Sequence, residues 1–292
     1  MNILVTGAAG QLGRAFRLTA AGSENRYFFS DICDSDGIFH LDIFDREALE
    51  PFMEKHGIDV IVNCASYTDV NRAEEEQEKA FAVNAEAVSV LASTAKGKDA
   101  LLIHISTDYV FDGRSNVPYS EGDLTGPLNA YGRSKLAGEQ AVVQSGCRYM
   151  IFRTAWLYDN VSKNFFTTIV DKTASSPMLD VVCDQVGAPT FAPDLAEAID
   201  FIISSGMTDR TGIYHYSGEG LCSWYDFAKA ICRAVGHLCD IRPVRSGDYP
   251  SKAVRPHYSV LDKSLIKKTF NIEIPHWTES LEVCVSEYMD GR

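Results

Sequence analysis

The chain is short of cations. Against 40 Asp and Glu it carries 27 Lys and Arg, a formal net charge of −13 over 292 residues. No basic stripe or arginine cluster runs through it, which argues against nucleic acid as a partner. A compact anionic ligand would have to be held by local basic residues. Long apolar runs are also missing: none approaches the roughly twenty residues of a membrane span, so no membrane association is expected. Met1 to Val5 already read as a core strand. That leaves no room for a secretion signal and makes the cytoplasm the expected compartment. The eight cysteines include no C-x-x-C pair, and several sit in apolar runs. They read as reduced, mostly buried thiols rather than a disulfide framework. The seven histidines show no metal-ligand spacing, so no zinc site is expected. There is no internal repeat and no low-complexity tract. The remaining composition, 46% apolar and 23% charged, is that of an ordinary globular chain, with length for one large or two smaller domains.

What is present begins with glycine. The apolar run Met1-Asn2-Ile3-Leu4-Val5 breaks into Thr6-Gly7-Ala8-Ala9-Gly10-Gln11-Leu12-Gly13, and a helical stretch from Arg14 to Ala21 follows. Strand, glycine turn and helix in this order form a dinucleotide fingerprint. The first glycine permits the turn, the second lets the backbone approach a pyrophosphate, and the third lets helix and strand pack closely. Tyr27 to Ser30 reads as a second strand ending at Asp31, about twenty residues past the turn, where a carboxylate can accept from the adenosine ribose hydroxyls. Leu41-Asp42-Ile43 opens a βα junction, and Asp45 is placed to cap a helix over Arg46 to Lys55. Ile58 to Val62 is apolar on both faces, as parallel strands are. Its tip, Asn63-Cys64-Ala65-Ser66-Tyr67-Thr68-Asp69-Val70, has small residues over which a cofactor can lie. A helix is expected from about Ala73, with Glu74, Glu75, Glu76 and Glu78 as solvated charges at its start. Leu101 to Ser106 and Tyr149 to Arg153 read as strands around a helix over Ala130 to Gln144.

This βαβα order predicts an α/β fold: a doubly wound parallel sheet of Rossmann type with a smaller C-terminal substrate-binding domain. The expected division is residues 1–155 for the dinucleotide and 156–292 for the substrate, with some later segments returning to the sheet. In the second half, helices are predicted at Phe165–Lys172, Leu195–Ser204, Tyr225–Val235 and Glu279–Met289. Strands are predicted at Leu179–Cys183 and Ile213–Tyr216. Seven of the ten prolines lie in this half.

Tyr131 and Lys135, four apart on a predicted helix, share one face. A phenol has a pKa of about 10 in water. A neighbouring ammonium and a positive nicotinamide ring would lower it, so that the phenol can give its proton to a developing alkoxide. Ser106 and Thr107, ending the preceding strand, can hold the substrate carbonyl. The G-x-x-G-x-x-G spacing and these residues together resemble the extended branch of the short-chain dehydrogenase/reductase superfamily.

Finer segments resemble one family within it. Ser106-Thr107-Asp108-Tyr109-Val110-Phe111-Asp112-Gly113, Asn129-Ala130-Tyr131-Gly132, Phe152-Arg153-Thr154-Ala155-Trp156, Asp184-Gln185-Val186-Gly187-Ala188-Pro189-Thr190 and Arg255-Pro256 are similar to segments of dTDP-4-dehydrorhamnose reductases. The matches run nearly end to end. The resemblance implies reduction of the 4-keto group of dTDP-4-dehydro-L-rhamnose by NADPH or NADH, giving dTDP-L-rhamnose for surface polysaccharide. It implies that Thr107 orients the carbonyl, Tyr131 donates the proton, and Lys135 binds the nicotinamide ribose and tunes Tyr131. The expected cofactor contacts are Gly7, Gly10, Gln11, Leu12, Gly13, Asp31, Asp42, Ile43, Ala65, Ser66, Tyr131 and Lys135. The expected substrate contacts are Thr68, Val70, Ser106, Tyr109, Trp156, Asn164, Gln185 and Arg255.

Two enzyme rivals and one of another class stand beside this. Nucleotide-sugar 4,6-dehydratases carry an acidic residue right after the Thr-Asp pair, where this chain has Tyr109. A 4-epimerase keeps its nicotinamide bound through the cycle. The regulatory subunit of methionine adenosyltransferase also resembles the family and acts as a binding partner; the complete Thr107, Tyr131 and Lys135 set argues for a working enzyme. There is also a departure. Some family members dimerise through a magnesium ion held by three glutamates, whose positions here are Ala15, Pro193 and Glu287. The resemblance with two of three carboxylates missing implies no metal requirement and a monomer rather than a magnesium-bridged dimer.

Overall fold

The computed structural model describes residues 1–291. Its strands are β1 (Asn2–Thr6), β2 (Arg26–Asp31), β3 (Phe39–His40), β4 (Val60–Asn63), β5 (Leu101–Thr107), β6 (Arg148–Thr154), β7 (Leu157–Tyr158), β8 (Met178–Val182), β9 (Val186–Gly187), β10 (Thr190–Phe191), β11 (Gly212–His215), β12 (Cys222–Ser223) and β13 (Asp240–Val244). The helices are α1 (Gln11–Thr19), α2 (Arg46–His56), α3 (Val70–Ala73), α4 (Gln77–Phe81), α5 (Ala87–Gly97), α6 (Ala130–Ser145), α7 (Phe165–Ser175), α8 (Ala192–Ser204), α9 (Trp224–Ala234), α10 (Ser264–Phe270) and α11 (Trp277–Asp290).

Seven strands form one sheet in the order β11-β6-β5-β4-β1-β2-β3, and every pairing in it is parallel. From β1 the chain winds out to β2 and β3, then returns to place β4 on the other side of β1. This reversal opens a crevice at the strands' carboxyl ends, where open α/β sheets bind ligands. Register brings the ends together: Thr6 pairs with both Ser30 and Asn63. The glycine turn, Asp31 and the loop after Asn63 therefore leave the sheet at one level.

Side chains of a strand alternate between faces, and both faces here are covered. Ile3, Val5, Val62 and Ile103 pack on one side with Phe16 of α1 and Leu195 and Ile199 of α8. Leu4, Ile61, Leu102 and Ile151 pack on the other with Leu49 of α2 and Val88 and Leu91 of α5. The second half builds its own core: Phe166 of α7, Phe227 and Ile231 of α9 and Trp277 and Leu281 of α11 close around Tyr158. None of the eight cysteines forms a disulfide, and four are buried.

Two local expectations change. α1 begins at Gln11, inside the glycine motif, so Gly13 is helical. The helix expected from Ala73 is broken: Ala73 ends the one-turn α3, and Glu74 to Glu76 lie between α3 and α4. These glutamates are not simply solvated. Glu74 accepts from the Ala130 N–H at 2.7 Å, at the start of α6. Glu76 accepts from Tyr67, Arg72 and Lys79. Tertiary partners at the next helix terminus stabilise the break that local charge pattern did not show.

Candidate active site

The glycine turn is sterically closed to any larger residue. Gly7 has φ +66°, and a Cβ there would lie 2.5 Å from the Ala65 nitrogen. A Cβ on Gly13 would lie 2.3 Å from the Gly7 carbonyl oxygen. Gly10 caps α1 without any side-chain acceptor, and the first turn holds no acidic residue. The positive end of α1 thus opens onto the crevice with no carboxylate of its own, the condition for holding a pyrophosphate. Asp31, at the tip of β2, accepts from the Ala9 N–H at 2.9 Å and the Cys33 N–H at 3.2 Å. It braces the turn. The residues present fit a dinucleotide.

The loop after β4 is held by a residue that pattern reading missed. Asn84 lies in a π-helical turn, Ala82–Glu86, between α4 and α5. Its side chain accepts from Ser66 Oγ (2.9 Å) and Tyr67 N (2.8 Å), and donates to Tyr67 O (3.0 Å) and Ser134 Oγ (2.9 Å). Every polar valence is used, tying Ser66 and Tyr67 to α6. Such π turns mark functional sites often enough to be informative. Nothing in the local sequence signals one here.

At the end of β5, Thr107 Oγ1 accepts from the Tyr109 N–H and donates to Asp108 Oδ1 at 3.1 Å. Burial pushes the Asp108 carboxyl up to about 7, against the pull of hydrogen bonds from Ser259 and Thr107. Tyr131 sits in the first turn of α6, whose start is fixed by Asn129 accepting from the Gly132 N–H at 2.8 Å. Its ring meets Tyr109 edge-on, 5.9 Å between centroids. The expected lowering of the Tyr131 pKa is not what the protein alone produces. Burial pushes the phenol up to about 12; the Thr107 hydroxyl pulls it down and Asp108 pushes it further up. Desolvation outweighs the hydrogen bond. Lys135 Nζ donates to the Ile105 carbonyl at 2.6 Å. Burial lowers its pKa to about 8, with Glu139 and Cys64 opposing that fall.

Glu139 is one helical turn beyond Lys135, and sequence reading passed over it. It accepts from Ser106 Oγ at 2.5 Å and from Arg153 Nε and Nη2 at 2.9 and 2.7 Å. The Glu139 and Arg153 side chains are 3% and 4% exposed. Arg153 also lies 5.1 Å over the Phe111 ring. Neighbouring residues of β5 therefore anchor α6 twice: Ile105 through Lys135 and Ser106 through Glu139. The spacing Tyr131, Lys135, Glu139 was the available signal.

The expected substrate and cofactor residues divide. Tyr109 is buried beside Tyr131, with the Arg255 guanidinium against it. Thr68 is exposed, and Val70, which opens α3, is half-buried. The Gln185 amide donates to Ser246 Oγ at 2.9 Å. Trp156 lies between β6 and β7, at φ +49°. Three residues have their side chains committed elsewhere. Ser106 is bound to Glu139. Asn164 caps α7 and joins it to Gln11 at 3.0 Å, so it ties the glycine turn to the second half. Asp42 accepts from the Phe44 N–H at 2.9 Å. Leu12 and Ile43 are buried in the two sheet cores and can offer a ligand only backbone. Of the three magnesium positions, Ala15 is a buried residue of α1, Pro193 lies in the first turn of α8, and Glu287 accepts from Asn160 at 3.1 Å. Among the described residues no group of three or more His, Cys, Asp or Glu could hold a metal ion.

Known proteins match this chain over nearly its whole length. The family described as RmlD substrate binding domain matches residues 1–289. A dTDP-4-dehydrorhamnose reductase from Burkholderia thailandensis is 38% identical, covering 99% of each chain. The crystal structure of a dTDP-4-dehydrorhamnose reductase from Clostridium acetobutylicum superposes with a TM-score of 0.92 at 37% identity, covering 99% of this chain and 100% of that one. That of the Bacillus anthracis enzyme in complex with NADP superposes at 0.90 with 33% identity, covering 98% and 99%. With its glycine turn, its Thr107–Tyr131–Lys135 set and this end-to-end similarity, the chain belongs to the dTDP-4-dehydrorhamnose reductase family.

Proposed function

We propose that the protein is a nicotinamide-dependent oxidoreductase that reduces the 4-keto group of dTDP-4-dehydro-L-rhamnose to dTDP-L-rhamnose. The observation that carries this reading is the meeting of Tyr131 and Thr107 at the carboxyl end of β5, one crevice away from an uncapped helix terminus. Residues 1–155 would hold the dinucleotide and 156–292 cover the sugar. Among the described residues no helix is long and apolar enough to cross a membrane, and we place the reaction in the cytoplasm.

A bound reduced nicotinamide supplies the hydride; the protein supplies placement and protons. Thr107 fixes the carbonyl by its hydroxyl. Tyr131, raised to about 12, stays protonated at neutral pH and is a donor rather than a base. Its proton passes to the oxygen that gains charge at C4. Lys135, held by Ile105, keeps an ammonium near the site below about pH 8. Tyr109 in place of a carboxylate leaves no group there to eliminate water. With reduced nicotinamide deuterated at both C4 positions, one deuterium should appear at sugar C4 in the product's NMR spectrum. Product carrying protium at C4 would contradict the reading.

The two nicotinamides should both serve. Asp31 stands where it repels a 2′-phosphate, and no Lys or Arg lies between Asp31 and Asp45 to receive one. The Asp31 oxygens are, however, already engaged by Ala9 and Cys33. Comparing kcat/KM for NADPH and NADH checks this; a preference for NADPH above about a hundredfold would show that Asp31 lies away from the ribose.

Magnesium should be dispensable. The ion prefers octahedral oxygen ligands with one or two carboxylates, and only Glu287 remains of the three positions. We expect a monomer, active after EDTA treatment. Size-exclusion chromatography with light scattering reads this directly, and a dimer that dissociates on chelation would overturn it.

A further inference from the structure

Trp156 is an outlier. A bulky aromatic at φ +49° occupies backbone space that side chains other than glycine's rarely adopt. Strain of this kind persists where surroundings over-determine it, and it clusters at binding sites. The surroundings here are one short ladder. β9 pairs antiparallel with β12, Gly187 opposite Cys222 and Val186 opposite Ser223. From β9, Gly187 backs onto the indole so closely that a Cβ would lie 2.6 Å from it. From the residue after β12, the Trp224 ring stacks on Trp156 with 3.5 Å between centroids and 9° between planes. Phe165 of α7 packs against Trp224 in turn, 4.5 Å away. The Thr190 N–H donates to the Trp156 carbonyl at 3.2 Å. Side chain and backbone are both fixed, and none of these contacts was visible in the sequence.

The place of the pair is the sheet's carboxyl edge. Thr154 is the register partner of Thr107 across β5 and β6, and Trp156 stands two residues further on. A continuous line of contacts joins it to the reacting end. Tyr131 meets Tyr109, Tyr109 meets Arg255, and His257, two residues on, accepts from Val186 N at 2.7 Å, next to Gly187. Trp156 itself is half-buried, and its Nε1–H has no acceptor among the described residues. A half-buried indole clamped between Trp224 and Gly187 presents its edge and a donor, which suits the hydroxyl acceptors of a pyranose.

We propose that Trp224 is a specificity-determining positioning residue: its stacked ring, opposed by Gly187, holds Trp156 in its strained conformation as a rigid wall for the sugar of the nucleotide-sugar substrate. The proposal rests on the function proposed above and names a residue to which that reading gives no role. Trp224 acts through Trp156 and does not touch the reacting atoms. Its loss frees the indole, so the sugar binds less tightly in ground and transition state alike. The effect falls on KM and leaves kcat and the nicotinamide site alone.

The test uses full-length Trp224→Leu and Trp224→Phe proteins with near-UV circular dichroism, sugar-nucleotide kinetics and NADPH titration. Trp224→Leu should lose the coupled indole signal, raise KM about tenfold or more, and keep kcat within about threefold and NADPH affinity within about twofold. Trp224→Phe keeps a stacking face and should restore KM to within about threefold of the wild type. Should Trp224→Leu fail to fold, Gly187→Ala, which pushes on the indole from β9, should raise KM in the same way. A folded variant that has lost the coupled signal and keeps the wild-type KM overturns the proposal. Wild-type protein that turns over no 4-keto sugar nucleotide overturns the proposed function instead. Calorimetric titration with dTDP-glucose then decides the role of Trp224: weaker binding by Trp224→Leu supports it, and equal binding refutes it.

Discussion

Tyr131→Phe should lower kcat by about 10²–10⁴-fold while the affinity for NADPH stays within a few-fold of wild type. The substitution removes one hydroxyl and keeps the ring. The edge-on contact with Tyr109 survives, and so does the cap that Asn129 places on α6. What is lost is the hydroxyl facing Thr107, the proton donor of the proposed mechanism. Lys135→Ala should behave differently. It removes the ammonium and the bond to Ile105, so cofactor affinity should fall together with kcat. Steady-state kinetics with a parallel NADPH titration separate the two. A Tyr131→Phe protein within threefold of wild type would remove the phenol from the mechanism.

The largest stability effect is expected at Glu139. Glu139→Ala leaves the Arg153 guanidinium buried without its carboxylate, Ser106 without its acceptor, and Lys135 without the charge that supports its ammonium. Breaking a buried pair by removing one partner costs about 3–5 kcal/mol. That is a large share of the roughly 5–15 kcal/mol by which domains are stable. For a chain of this size it corresponds to a melting midpoint lower by roughly 5–8 °C. Replacing both partners, as Glu139→Leu with Arg153→Met, should recover part of the loss, because the guanidinium is no longer orphaned while Lys135 still lacks its supporting charge. The exposed pair Arg242–Asp240 serves as control: Asp240→Asn should change stability by no more than about 1 kcal/mol. Calorimetry checks all three. A Glu139→Ala midpoint within about 2 °C of wild type would show that water or another group relieves Arg153.

What could be read from the sequence was local. The glycine turn, Asp31 and the Tyr131–Lys135 spacing are chemistry written in consecutive or helically spaced residues, and the parallel sheet follows from strands apolar on both faces. What escaped reading depends on partners far along the chain. Asn84 is a polar residue in a helical stretch until Ser66, Tyr67 and Ser134 are seen around it. Glu74 reads as a solvated charge until α6 brings the Ala130 N–H to it. Glu139 looks like a surface glutamate because its partner, Arg153, arrives on the next strand. Trp224 gives no sign at all, since stacking on Trp156 requires the β9–β12 ladder that joins segments 36 residues apart by their Gly187 and Ser223 ends. The phenol's pKa escaped for a different reason: sequence shows charges but not desolvation, and at Tyr131 desolvation is the larger effect.

The central claim is net reduction of a 4-keto nucleotide sugar, and one stoichiometric measurement tests it. Purified protein is mixed with a known amount of dTDP-4-dehydro-L-rhamnose and excess NADPH, and the loss of reduced-nicotinamide absorbance is followed to completion. The account predicts one NADPH consumed for each sugar nucleotide and abolition of the signal in Tyr131→Phe over the same interval. Conversion of the sugar with no net loss of NADPH, as an epimerase would give, or binding of both ligands without any turnover, would contradict it.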